Sequence, residues 1–267
     1  MSVTINETVV FDGIGIHSGK PVKMTVEPSK IHGITFEYKH KQIQLGVDVI
    51  GVNNIRSTTL TDGNITIQTP EHFLAACYAL NITNIKVSLT DCELPILDGS
   101  AWPFIEQMKP KCRPLTLSEN WFNVSSNITF SDGESHYSAQ PSDSYIIDAS
   151  IVYQDRWVNT MSFRHDHSLA TFEADIARAR TYGFSDEVAW LKENGLAKGG
   201  GLENALVVTD SGYLNKPRFE TEMVRHKILD FIGDMSIMNH RLKGHFTIER
   251  PSHRGNIQFM KHLLTLK

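Results

Sequence analysis

From its N-terminus the chain alternates short apolar and polar runs with a period of two, beginning at Thr4, Val22 and Gly33, separated by Gly, Pro and Asn. That alternation places successive side chains on opposite faces of a strand, and the breakers mark turns. The first hundred residues therefore predict a predominantly antiparallel sheet. At Thr69 the period changes, and Phe73, Ala76, Cys77 and Leu80 recur at helical spacing. Thr69 is placed to cap this helix and Pro70 suits its first position, so a helix of about three turns is expected. A strand-like run from Asn84, a loop over 93–100 and a second helix over 102–108 follow. Residues 109–120, with Pro110 and Pro114, read as an interdomain linker.

The second half repeats that order. Strand-like runs extend from Trp121 to about Phe163, helices are expected over 172–178 and 220–239, and a strand over 246–250 leads into a terminal helix. Residues 185–213 hold a short helical run, a glycine-rich turn at 199–201 and an apolar run from Ala205, which suggests a small βαβ insert. The turn lacks the GxxxxGK[ST] pattern of a phosphate loop. No residue-level repeat is visible, yet the shared strand-then-helix order predicts two α+β layers side by side.

Composition narrows the choice of partners. The 267 residues are 40% apolar and 21% charged, with a formal net charge of -4 and a pI near 6.3. Such a chain has no basic field for nucleic acid or an anionic membrane, so any ligand phosphate must be met locally. The N-terminus has neither the basic nor the apolar segment of a secretory signal, and no run approaches the ~18 apolar residues of a spanning helix. A cytoplasmic protein without stable membrane insertion is the expectation. Cys77, Cys92 and Cys112 are too scattered for a disulfide framework or a thiolate metal site.

The sharpest chemical signal lies on the helix expected near 220–239. His226, Asp230 and Asp234 fall four residues apart on one stripe, while Val224, Ile228, Phe231 and Met235 occupy much of the remainder. A buried carboxylate is costly without a partner, so the stripe points to a cation or a hydrogen-bonded network. A solvated acidic face is the alternative. Glu71 and His72 open the first strong helix, and a glutamate beside a metal-ligating histidine can take a proton from water. A first-turn glutamate also simply favours the helix dipole, so the pair alone leaves both readings open.

Six segments together resemble a known family in order and spacing. They are Gly-Ile-Gly-Ile-His-Ser-Gly from Gly13, Thr-Pro-Glu-His-Phe from Thr69 and Glu-Leu-Pro-Ile-Leu-Asp-Gly-Ser from Glu93. The others are Ala-Arg-Thr-Tyr-Gly-Phe from Ala179, Arg-His-Lys-Ile-Leu-Asp-Phe-Ile-Gly-Asp from Arg225, and Ser252-His253. The set resembles the UDP-3-O-acyl-N-acetylglucosamine deacetylases of lipid A biosynthesis over nearly the whole chain. The resemblance implies a fold of two similar α+β domains, here 1–115 and 116–267, each a pair of helices on a β-sheet. Each domain would carry an insert, with the active site at the domain interface and the second insert, 185–213, forming an apolar passage for an acyl chain.

The resemblance further implies a hydrolase in which His72, His226 and Asp230 bind zinc, with ferrous iron an alternative for the same donors. Glu71 would be the general base, His253 the general acid and Asp234 its orienter. Thr181, Lys227 and Phe184 would meet the substrate, a UDP-linked acylated amino sugar, with Thr181 also stabilising the oxyanion. A monomer that binds no nucleic acid is expected. Leu202 and Leu206 are candidates for the passage wall. Many relatives have glycine where Ser252 stands, so the loop carrying His253 is expected to sit slightly differently. His17 is a weaker candidate near the site. His165 and His167 read as a polar loop, and Arg241 and Lys243 as solvated surface. A zinc amidohydrolase with another substrate and a silent UDP-sugar-binding homologue remain alternatives, the latter disfavoured by the intact set of site residues.

Overall fold

The computed structural model describes residues 1–52, 54 and 56–266. Two sheets carry the architecture. In the first, Val9–Ile14, Pro21–Pro28, Asn84–Leu89, Gly33–Tyr38 and Lys41–Gln44 lie side by side in that order. In the second the order is Ile128–Asp132, Ser135–Gln140, Arg241–Glu249, Tyr145–Tyr153 and Asn159–Asp166, with Trp121–Asn123 also pairing with Arg241–Glu249. Each sheet has two hairpins flanking a central strand that comes last in sequence among the strands of that sheet. That strand is antiparallel to one hairpin and parallel to the other. The sheets are therefore mixed, not purely antiparallel, because a strand delivered by a helical crossover can enter parallel to its neighbour.

The α-helices are α1 (Glu71–Ala79), α2 (Trp102–Met108), α3 (Leu169–Thr171), α4 (Val188–Glu193), α5 (Glu222–Met235) and α6 (His253–Thr265). The central strand of the first sheet lies between α1 and α2 in sequence, and that of the second between α5 and α6. The two halves thus repeat one topology that no residue-level repeat announces. In the first half Phe73 of α1 packs edge-on against Phe36 of the sheet and Phe104 of α2, which in turn meets Phe11. In the second, Phe246 of the sheet contacts Phe231 of α5 and Phe259 of α6. All seven rings are buried, and truncating any of them to Ala removes about 3–5 kcal/mol of packing.

Burial explains the composition of α5, in which only Arg225 and Lys227 escape full burial. It packs on its own sheet and on α6, and also against α1 of the other half. Gly233 permits that contact, since a Cβ there would lie 2.1 Å from the carbonyl oxygen of Glu71. The acidic-imidazole stripe of α5 is therefore interior, not a solvated face.

Several local expectations are corrected. Thr69 does not cap α1; it adopts a left-handed φ of 57° and Pro70 precedes the first helical residue without a side-chain cap. The Thr69 amide donates to Thr58 O, so tertiary pairing replaces the local cap. The 172–178 helix is a short α3 followed by a π-helix, Phe172–Ile176, in which the Ala177 amide reaches back to Phe172 O. Part of the expected linker is a strand, Cys112–Pro114, paired with Val3–Ile5 near the N-terminus. The βαβ insert begins before residue 185, because Tyr182–Phe184 pairs parallel with Leu206–Thr209 across α4, and Gly212–Tyr213 adds a third strand. A small hairpin, Thr59–Thr61 with Thr66–Gln68, packs on the first half through buried Leu60 and Ile67. Among the described residues no helix is long and apolar enough to cross a membrane.

Candidate active site

The close approach of α1 to α5 brings Glu71 and His72 of one half against His226, Asp230 and Asp234 of the other. The imidazoles of His72 and His226 stand edge to face with centroids 4.9 Å apart. Asp230 Oδ1 lies 3.6 Å from His72 Nε2 and 3.3 Å from His226 Nε2. One donor atom from each of the three residues fits within 4.8 Å of the others, and all three residues are buried.

The protonation pattern tests whether these residues suit a cation. His226 Nδ1 lies 3.0 Å from Ala179 O, an acceptor only, so this nitrogen carries the hydrogen and Nε2 presents a lone pair. Burial holds the His226 ring neutral, with its pKa lowered to about 3, against the raising effect of Asp230. Asp230 Oδ1 is buried with no hydrogen-bond donor. Two buried lone-pair atoms thus face each other at 3.3 Å, which is unfavourable unless a cation lies between them. Lys227 Nζ bonds the other oxygen, Oδ2, at 3.0 Å and leaves Oδ1 free. Two imidazoles and a carboxylate form a donor set that borderline divalent ions accept.

Two proton-handling groups flank this cluster. Burial pushes the Glu71 carboxyl up to about 7, with His253 and His72 pulling down and Asp234 and Asp230 pushing up. His253 Nε2 is 3.8 Å from Glu71 Oε1 and 3.8 Å from Asp230 Oδ2, while its Nδ1 is 3.0 Å from Asp234 Oδ2. Burial disfavours the imidazolium, but the charges of Asp234, Asp230 and Glu71 outweigh it and raise the pKa to about 9. The geometry therefore sets a carboxyl whose pKa is raised 3.8 Å from an imidazole whose pKa is also raised, an arrangement that can support general base and acid chemistry.

Ser252 has a local explanation. Its hydroxyl accepts from the Gly255 amide at 3.1 Å, making it the N-cap of α6, and His253 is the first residue of that helix and not part of a free loop. Upstream, the segment that presents Ala179 and Thr181 is clamped by Glu222. This fully buried carboxylate accepts from the Arg180 amide and guanidinium and from the Arg218 amide. The Thr181 amide bonds Gly99 O and its carbonyl accepts from Leu206, tying the first half, the clamp and the insert together.

These groups open into a cavity of about 680 Å³, within the range of small-molecule sites. Thr181, Lys227, Phe184, Glu71, His72, His226, Asp230 and His253 all line it, whereas Asp234 lies behind His253. The insert supplies an apolar arm of its wall, Phe184, Val188, Leu191, Leu202, Val207 and Leu214, with Ser185 and Glu187 also in the lining. Leu202 lines it as expected but Leu206 does not. Strand alternation turns Leu206 and Val208 into the core and Ala205 and Val207 toward the cavity. His17 also lines the cavity, with its amide held by the buried carboxylate of Glu93 at 2.8 Å.

Arg56 and Tyr153 are lining residues absent from the sequence-based candidates: Arg56 stands in an aperiodic stretch, and Tyr153 ends a strand whose alternation marks a fold element and not a site. His165 and His167 lie apart from the site. They do not form a polar loop, because His165 is buried in Asn159–Asp166 with Nε2 3.2 Å from His167 Nδ1, and burial lowers its pKa to about 4. Arg241 and Lys243 are not simple solvated surface either. Arg241 covers the Tyr78 ring at 4.0 Å and Lys243 the Trp121 ring at 5.1 Å, both outside the cavity. The three cysteines are free thiols.

Comparison with known proteins identifies relatives of the whole chain. The deacetylase from Lawsonia intracellularis, named UDP-3-O-acyl-N-acetylglucosamine deacetylase, is 38% identical over 269 residues, covering 97% of this chain and 88% of the relative. Proteins of the same name from Geobacter sp. (strain M21) and Wolinella succinogenes are each 35% identical over 98% of this chain, covering 88% and 89% of their own lengths. A family profile matches residues 2–265, and on that near-complete match the chain belongs to the UDP-3-O-acyl N-acetylglycosamine deacetylase family.

Proposed function

We propose that this protein hydrolyses the N-acetyl group of UDP-3-O-acyl-N-acetylglucosamine, releasing acetate and UDP-3-O-acyl-glucosamine, the committed step of lipid A biosynthesis. The observation that carries the reading is the donorless Asp230 Oδ1 facing two imidazole nitrogens on the floor of a cavity with one polar end and one apolar arm. His72, His226 and Asp230 would hold zinc, or ferrous iron, which when bound supplies Lewis acidity to the amide carbonyl and to water.

The remaining steps fall to the chain's own groups. Glu71 takes a proton from the attacking water as the oxygen bonds to the amide carbon. Its carboxylate adjoins the proposed metal ligand His72 and lies 3.8 Å from His253 Nε2, which places it for that exchange. His253, held by Asp234 with Nε2 facing the site, donates its proton to the sugar nitrogen as the carbon–nitrogen bond breaks. Thr181 and Lys227 sit on the wall where they meet the developing oxyanion and the substrate's polar groups. The insert's apolar arm takes the 3-O-acyl chain along Phe184 and Val207. We also read the chain as two domains, 1–115 and 116–267, with Glu71 and His72 supplied by the first and the other groups by the second.

A contrast between two variants tests the assignment. Glu71→Gln should keep the metal and lose acetate release, whereas His226→Ala should lose both, with metal measured by elemental analysis of purified protein. Full metal occupancy in His226→Ala would refute the ligand set.

A further inference from the structure

Thr58 stands in the first half of the chain just before Thr59–Thr61, and it is fully buried. All three of its polar groups are engaged at the site. Its hydroxyl donates to Asp234 Oδ1 at 2.5 Å. Its amide donates to Glu71 Oε2 at 3.2 Å, and its carbonyl accepts from the Thr69 amide at the entry to α1. One residue thus touches both the base and the carboxylate that orients the acid, which lie on opposite halves of the molecule.

The hydroxyl matters because of what else holds Asp234. Oδ2 accepts from Asn256 Nδ2 at 2.8 Å and meets His253 Nδ1 at 3.0 Å, and Asn256 Oδ1 is itself fixed by the Tyr137 hydroxyl at 3.1 Å. Oδ1 has Thr58 as its side-chain donor. The terminal torsion of an aspartate is broad and roughly two-fold, so a carboxylate held through one oxygen can swing. Holding both oxygens fixes its plane, and with it the direction in which His253 presents Nε2 to the cavity.

We propose that Thr58 is a positioning residue for this reaction: its hydroxyl sets the Asp234–His253 pair while its amide sets the rotamer of Glu71, so that acid and base are aligned from one point. The proposal rests on the deacetylase reading above. Thr58 makes no hydrogen bond to His72, His226 or Asp230, so its removal should leave metal binding intact. A misplacement near 1 Å in a catalytic group costs on the order of 100-fold in rate.

The test compares Thr58→Val, which removes the hydroxyl but keeps the branched shape and the amide, with Thr58→Ser, which keeps the hydroxyl. Thr58→Val should lower kcat by roughly 10–100-fold with KM within about twofold and full metal content, and Thr58→Ser should lie within about threefold of wild type. Should the valine variant not accumulate as folded protein, Thr58→Ala removes the same hydroxyl without buried bulk and carries the same expectation. A second readout does not depend on turnover. In histidine-labelled protein the ring N–H resonance of His253, identified by its loss in His253→Gln, should move in Thr58→Val and stay in Thr58→Ser. Wild-type kcat in the valine variant, an equal fall in both variants, loss of metal, or an unmoved resonance each overturns the proposal. Absence of acetate release from wild type would instead count against the deacetylase reading, leaving the resonance to judge Thr58.

Discussion

Gly233→Ala is the substitution that most directly perturbs the assembly of the site. It changes no proposed ligand, base or acid. A methyl at this position would sit 2.1 Å from Glu71 O, 2.8 Å from its carbonyl carbon and 3.1 Å from its Cα, all backbone atoms that cannot rotate away. Raising the shortest contact to 3.0 Å requires α1 and α5 to part by about 0.9 Å. His72 travels with α1, and His226 and Asp230 with α5. Metal-ligand distances tolerate only about 0.2 Å, so the three donors can no longer close on one ion. Two effects on stability oppose each other. Replacing glycine by alanine inside a helix gains about 1 kcal/mol, while forcing a methyl into a packed contact costs about 1–3 kcal/mol. Because the obstruction is backbone, the upper part of that range applies, and a net loss of about 1–2 kcal/mol is expected in urea unfolding of the metal-free protein. Metal affinity, measured by chelator competition, should fall at least tenfold, or about 1.4 kcal/mol. A variant more stable by about 1 kcal/mol with unchanged affinity would show instead that the helices do not need this close approach to form the site.

The site also predicts a bell-shaped pH dependence, because Glu71 must be ionised and His253 protonated together. A bound dication lowers both pKa values, but the Asp234 contribution survives as a difference: removing that negative neighbour lowers the imidazolium pKa, so Asp234→Asn should move the alkaline limb to lower pH and His253→Gln should abolish it. An alkaline limb unmoved in both variants would mean that another group is the acid. Val207→Trp should narrow the apolar arm and shift preference toward shorter acyl chains, read as kcat/KM across a chain-length series. An unchanged ranking would place the acyl chain elsewhere.

Helical spacing made one stripe of the candidate site legible, whereas the roles of Glu71, His72, His253, Thr181, Lys227 and Phe184 came from the resemblance. His226, Asp230 and Asp234 form a stripe whose flanks are apolar, and that contrast marks a polar line kept inside a core. The same reading could not show which face of the insert strand turns inward. Leu206 and Val207 are both apolar neighbours, and only the packing of one face of that strand into the core decides between them. Thr58 left no trace either, since it is a single threonine in an aperiodic stretch whose importance arises from a contact 176 residues away in sequence. The parallel central strand of each sheet was hidden for a related reason. Period-two alternation reports which residues share a face but not the direction of the neighbouring strand.

In the proposed reaction this cavity cleaves the N-acetyl group with the help of a cation held by His72, His226 and Asp230. The direct measurement is acetate released from UDP-3-O-acyl-N-acetylglucosamine by the purified protein as isolated, after chelation, and after zinc is restored. Release that disappears with chelation and returns with zinc is the predicted result. Release that persists at full rate in protein shown to be metal-free, or no release with zinc or ferrous iron bound, would contradict it.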